Sequence, residues 1–239
     1  LIPVLVVLGV STIFALLLSN VYGSPPLVLT PFTEAGFGPM LNALYFSALV
    51  GFGGIFIYIF FRLRLKRALG FFITTVYTLL AFILVLVYFP VGLWFLGLSF
   101  LYENIFFMVS VQIMIVFLVV YLVFRVGGRV GSVIMLIVAS AMGAFLGFVT
   151  PTISALTLLL ALSAYDIIAV TKGPIGKLVS IMGNDDFLPL IFSYSNLKFG
   201  LGDLVFYSML TAHTFIFLSF PSFIAGLVGI VLGVYLSLR

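Results

Sequence analysis

Stretches of about twenty consecutive apolar residues follow one another along this chain, and each is long enough for a helix to cross a ~30 Å hydrocarbon core. Eight such runs occupy residues 2–21, 40–61, 69–96, 105–124, 130–149, 152–170, 199–220 and 222–238. Membrane β-barrel strands would instead alternate apolar and polar positions over short segments. Only 7% of the 239 residues are charged and 64% are hydrophobic, whereas a soluble domain is about a quarter charged. The sequence therefore predicts an all-α fold: a polytopic transmembrane helical bundle of eight spans, forming a single membrane domain over 1–239. The third run is long enough to tilt or to kink, with Pro90 as the expected site. No cleavable signal peptide is expected at its start.

The charges that do occur are ordered. Arg62, Arg64, Lys66 and Arg67 separate runs two and three, and Arg125 and Arg129 separate runs four and five. Lys172, Lys177 and Lys198 lie between runs six and seven, and Arg239 follows run eight. All ten basic residues thus fall in alternate loops, while Glu34 and Glu103 fall in the others. The positive-inside rule then predicts a multi-pass protein of the cell membrane, with a cytoplasmic N-terminus and a cytoplasmic loop between runs six and seven. The net charge of +4 is accounted for by these loops, and nucleic acid is not an expected partner. There is no cysteine, which excludes disulfides, thiol catalysis and cysteine metal sites.

Small residues recur at four-residue spacing in two runs: Ala139, Gly143 and Gly147 in the fifth, and Ala225, Gly229 and Gly233 in the eighth. Gly51, Gly53 and Gly54 cluster in the second. Such stripes let helix backbones approach closely and carry no specific function.

Two of the six acidic residues lie inside apolar runs: Asp166 in the sixth and Asp203 in the seventh. Intramembrane ionisable residues are expensive and are functional by default. Asp166 precedes Lys172 by six residues, about 9 Å of helix, and Asp203 follows Lys198 by five, about 7–8 Å. On consecutive antiparallel helices the two would share one depth near the cytoplasmic side. Close carboxylates cannot both ionise cheaply, so such a pair holds one proton. The ionised member can take a proton from water while the protonated one polarises a peptide carbonyl, as in aspartic proteases. Gly200 and Gly202 flank Asp203 without side chains, so another backbone can come close. Proton or cation transport fits the same pair on spacing alone; a transporter or channel is the alternative from another class, although no internal repeat is visible.

Tyr165-Asp166 in one run and Gly200-Leu201-Gly202-Asp203 in the next resemble the YD and GxGD motifs of the presenilin and signal peptide peptidase family. The likeness covers both motifs, their order and the arrangement of all eight runs, and it is greatest with compact archaeal presenilin homologues. It implies an intramembrane aspartyl protease in which Asp166 and Asp203 form the catalytic dyad and Tyr165, Gly200 and Gly202 support it. Its substrates would be transmembrane helices of single-pass proteins, met within membrane lipid. No metal and no organic cofactor is implied, and a homo-oligomer stays open. The family also implies a ninth span opened by Pro-Ala-Leu. That motif is absent here; Pro221-Ser222-Phe223 is a poor substitute, and the ninth span is expected beyond residue 239.

The apolar segment 187–194 lies between runs six and seven. Its simplest reading is a re-entrant or interfacial cover; alternatively it is extended and Leu188, Pro189 and Leu190 bind substrate through strand pairing. Asp185 and Asp186 read as a solvated cluster, since no histidine is near. Other protease chemistries fail on inventory. There is no HExxH for zinc, and His213 is the single histidine. It lies about 15 Å beyond Asp203 along a helix and is expected to be a packed, hydrogen-bonded residue. Ser195 with Lys198 is a weak Ser/Lys pair.

Overall fold

Helix α5 (Gly128–Val149) and helix α7 (Leu201–Phe217) pack so closely that one glycine stripe fills the space between them. A Cβ at Gly143 would stand 2.2 Å from Ser208 Cβ and 2.4 Å from the Val205 carbonyl oxygen. One turn further, a Cβ at Gly147 would stand 2.6 Å from the Met209 carbonyl oxygen. Rising numbers meet rising numbers, so the two helices run parallel. The stripe expected in the fifth run is thus a packing device, as small residues between membrane helices commonly are. In the eighth run the expected stripe does not pack: Gly229 and Gly233 have no described atom within 4 Å, and Gly226 instead faces Thr214.

The computed structural model describes residues 2–25, 28–171, 191–194 and 197–237, and of residues 61, 66, 102, 166–171, 191–194 and 197–199 the backbone alone. Helices α1 (Ile2–Tyr22), α2 (Gly38–Arg62), α3 (Lys66–Phe95), α4 (Ile105–Tyr121), α5, α6 (Thr152–Thr171), α7 and α8 (Phe220–Ser237) correspond to the eight apolar runs. Six of them, α1 to α5 and α8, carry stretches long and apolar enough to cross a membrane. Their outward residues agree: Phe106 is 83% exposed and Phe71 76%, a surface that suits hydrocarbon and not water. Helix α3 continues through Pro90, and a π turn, Leu122–Val126, closes α4.

The helix that carries Asp203 is, with α4, the shortest of these eight α-helices. Helix α7 has 17 residues, about 25 Å of rise, less than a full hydrocarbon core. The expected start of the seventh run at 199 is corrected. Residues Leu197–Gly200 form strand β2, paired antiparallel with β1 (Ile191–Tyr194). Lys198 therefore sits on a strand opposite Ser193, and a depth for Asp203 counted along a helix from Lys198 does not hold. Gly200 is extended at φ −67°, ψ 135° and the helix begins after it. The other end stops at Phe217 instead of 220, where Leu218 turns extended.

Two compact units divide the chain. The first comprises Leu1–Pro26, Thr74–Phe148 and Pro189–Arg239, and the second Leu27–Ile73 and Val149–Leu188. In the first, α7 is central: Leu204 packs with Val4, Val7 and Leu8 of α1, Leu136 and Ala139 of α5, and Ile230 and Val234 of α8. Ala15, Ala144 and Ala212 continue the contact of α1, α5 and α7 with minimal side chains. In the second unit, α2 pairs with α6 along their lengths, and Phe56 of α2 stacks edge-on with Phe60 and meets Phe72 at 4.9 Å.

Candidate functional site

Asp203 occupies the first turn of α7. The backbone N–H groups of a first helical turn have no partner within the helix, and the positive end of the helix dipole lies there. A carboxylate at that place is therefore supported by its own helix, which accounts for an aspartate opening an apolar segment. Asp203 is half-buried. Its side chain leans back toward the extended Gly200: a Cβ at residue 200 would stand 3.1 Å from Asp203 Oδ2. A side chain at 200 would thus crowd the carboxylate, which would have to give by a few tenths of an ångström. Gly202 differs, being exposed and with no described atom within 4 Å of an added Cβ. The side of the turn it presents is open backbone.

Tyr165 belongs to the second unit and lies on α6. Its ring rests on α2, where a Cβ at Gly51 would stand 3.5 Å from Tyr165 Cε2 and one at Gly54 3.5 Å from the hydroxyl oxygen. Two glycines three residues apart on α2 form a flat seat for an aromatic ring. Asp166 is the next residue of α6; its side chain lies outside the described residues, as do Leu188, Pro189 and Leu190, Ser195, and Asp185 and Asp186. Of the segment 187–194, the part from Ile191 is extended and hairpin-paired.

The opposite end of α6 is held by a polar cluster. Glu34, in the α1–α2 loop, accepts hydrogen bonds from the Ser154 N–H at 3.2 Å and from the Ser154 hydroxyl. Ser154 is third in α6, so Glu34 satisfies one of the donors left open at that helix start. Asn42, fully buried on α2, donates to the Phe32 carbonyl and to Ser154 Oγ, each at 2.9 Å. It also accepts from the Phe32 N–H at 2.9 Å. Thr157 adds a bond to the Pro39 carbonyl at 3.2 Å. No local pattern marks this cluster beyond a loop carboxylate, because its members are separated by up to 120 residues.

His213 is 1% exposed, and its Nδ1 lies 2.8 Å from the Gly147 carbonyl oxygen. A carbonyl only accepts, so Nδ1 carries the proton and donates. The ring lies 4.9 Å from that of Phe217. This is the packed, hydrogen-bonded histidine expected from its position, joining α7 to α5.

No family model matches this chain, and no curated protein does.

Proposed function

We propose that the chain is a multi-pass intramembrane aspartyl endopeptidase that hydrolyses peptide bonds within transmembrane helices of single-pass substrates. The observation that carries this reading is the setting of Asp203: a carboxylate in the first turn of an apolar helix, leaning toward a glycine at which an added Cβ would crowd it. Both halves of the resembled motif have a physical role there. Gly200 makes room for the carboxylate, and Gly202 leaves open backbone beside it. Tyr165, seated on Gly51 and Gly54, fixes the part of α6 in which Asp166 is the next residue. All eight helices would be spans, with the basic loops and the N-terminus in the cytoplasm.

In this mechanism Asp166 and Asp203 hold one proton between them. The ionised carboxylate takes a proton from water, and the water oxygen bonds to the carbonyl carbon as the protonated carboxyl gives its proton to the carbonyl oxygen. The tetrahedral intermediate then returns that proton, the C–N bond breaks, and the departing nitrogen receives the proton taken from water. Atoms and charge balance with water as the sole co-reactant. A substrate helix must first unwind, since its carbonyls are otherwise bonded within the helix; glycine or proline near the scissile bond helps. The hairpin immediately before α7 offers edge backbone of the kind an unwound segment can pair with.

Reconstitution in liposomes tests the reading with two assays on one preparation: fragment release from a single-pass substrate, and proton flux. Fragment release that stops with Asp203→Asn supports the protease. Proton flux that responds to the same substitution, with no fragments at any stage, would replace it with a transporter.

A further inference from the structure

Tyr77 of α3 is 8% exposed, and its hydroxyl has no hydrogen-bond partner among the described residues. A buried phenol nearly always finds an acceptor, and an exception calls for a reason. Tyr88, farther along the same helix, obeys the rule: its hydroxyl donates to the Ala141 carbonyl at 2.8 Å. Tyr77 forms a buried cluster with Val123 and Met135, meets the Phe124 ring edge-on at 5.5 Å, and has Leu201 packed against that cluster. Leu201 is the residue between Gly200 and Gly202, two positions before Asp203. Next to the cluster is an apolar cavity of about 240 Å³, lined in part by Ala81, Leu84, Val119 and Val138. Val119 and Val138 also pack against the Tyr77 cluster, so the cavity and the cluster share two walls, although Tyr77 itself does not line the cavity.

Water is a poor occupant for such a place, because a buried water needs two to four polar partners and the described neighbours of Tyr77 are Val, Met, Phe and Leu side chains. With no acceptor among the described residues, a ligand that is apolar apart from a hydrogen-bonding oxygen would supply one. An unwound stretch of a transmembrane helix has that chemistry, with aliphatic or aromatic side chains and a carbonyl freed from its helical bond. We infer that Tyr77 is a further substrate-contacting residue of the Asp203 site, donating a hydrogen bond to a carbonyl oxygen of the unwound substrate, while the adjoining cavity takes an apolar side chain of the same segment. The inference rests on the protease reading. Tyr77 gives a hydrogen bond and no proton, so the acid–base work stays with the carboxylates.

The test compares the full chain with Tyr77→Phe and, as reference, Asp203→Asn, on a single-pass substrate in detergent. For Tyr77→Phe, KM should rise about tenfold, the scale of losing one hydrogen bond to the bound substrate, while kcat and the shape of the pH profile stay near the parent's. Thermal stability should hold or rise, since the substitution removes a buried unpaired hydroxyl and keeps the ring. A Tyr77→Phe protein with the parent's KM, beside an inactive Asp203→Asn, overturns the role of Tyr77 and leaves the protease standing. Loss of stability in parallel with the rise in KM also overturns it, by making Tyr77 structural. Should the parent release no fragments, or Asp203→Asn cleave normally, the protease reading fails and the assignment of Tyr77 falls with it.

Discussion

The Asp203 carboxylate lies against the backbone of Gly200, so near that a methyl group at residue 200 would stand 3.1 Å from Oδ2. Few real contacts are that tight, and the softer partner must move. That partner is the carboxylate, because Gly200 is fixed as the last residue of strand β2, paired with Ile191, directly before helix α7. Gly200→Ala should therefore displace the Asp203 carboxylate oxygen by a few tenths of an ångström. Small misplacements of reacting groups are costly in rate, and cleavage is expected to drop at least about tenfold with thermal stability close to the parent's. Full activity in Gly200→Ala would show that the position of Oδ2 does not matter.

Gly202→Ala provides the contrast. Nothing described lies within 4 Å of the added methyl, and the site is helical. Alanine there should stabilise the protein by about 0.5–1 kcal/mol, as in an ordinary helix. A fall in cleavage accompanied by a rise in melting temperature would assign Gly202 to substrate approach; a fall in both would indicate an unseen packing role.

The α5–α7 seam predicts a difference between two glycine stripes that look alike in sequence. Gly143→Ala places a methyl 2.2 Å from Ser208 Cβ and 2.4 Å from a backbone oxygen, and overpacking of this kind costs about 1–3 kcal/mol. Gly229→Ala and Gly233→Ala meet no described atom and should not destabilise. Thermal unfolding of the three variants in one detergent decides it; equal melting temperatures would contradict the seam.

What the sequence made legible follows from period and length. Apolar runs of membrane length located the eight α-helices among the described residues, and the stripe at Ala139, Gly143 and Gly147 identified a packed face. Identical spacing in α8 pointed to packing that is absent among the described residues, because a small-residue stripe states that a neighbour can approach and not that one does. The start of α7 was misplaced for a related reason. Lys198-Phe199-Gly200 continues the apolar run without a break in composition, and only the strand pairing of Phe199 with Phe192 separates strand from helix. Tyr165, Gly51 and Gly54 were each visible, but their contact joins residues more than a hundred positions apart, and no local pattern encodes it.

The cluster at the start of α6 should be a large contributor to stability. Asn42→Ala removes three hydrogen bonds and leaves both the N–H and the carbonyl of Phe32 without their partner. Asn42 is itself fully buried, and breaking a hydrogen-bond network at a buried residue costs on the order of 1–3 kcal/mol in all, so the variant should unfold below the parent in a thermal scan. Glu34→Gln retains an oxygen able to accept from Ser154 and should lose less. If Asn42→Ala melts with the parent, the cluster does not hold α6.

Cleavage of a single-pass substrate by the parent, Asp166→Asn and Asp203→Asn, with fragments weighed by mass spectrometry, tests the central claim most directly. Fragments differing from the substrate by one added water, released by the parent and by neither variant, are the predicted result. Fragments of the same mass released by either variant at the parent's rate would contradict it, since no aspartyl dyad survives the loss of one carboxylate.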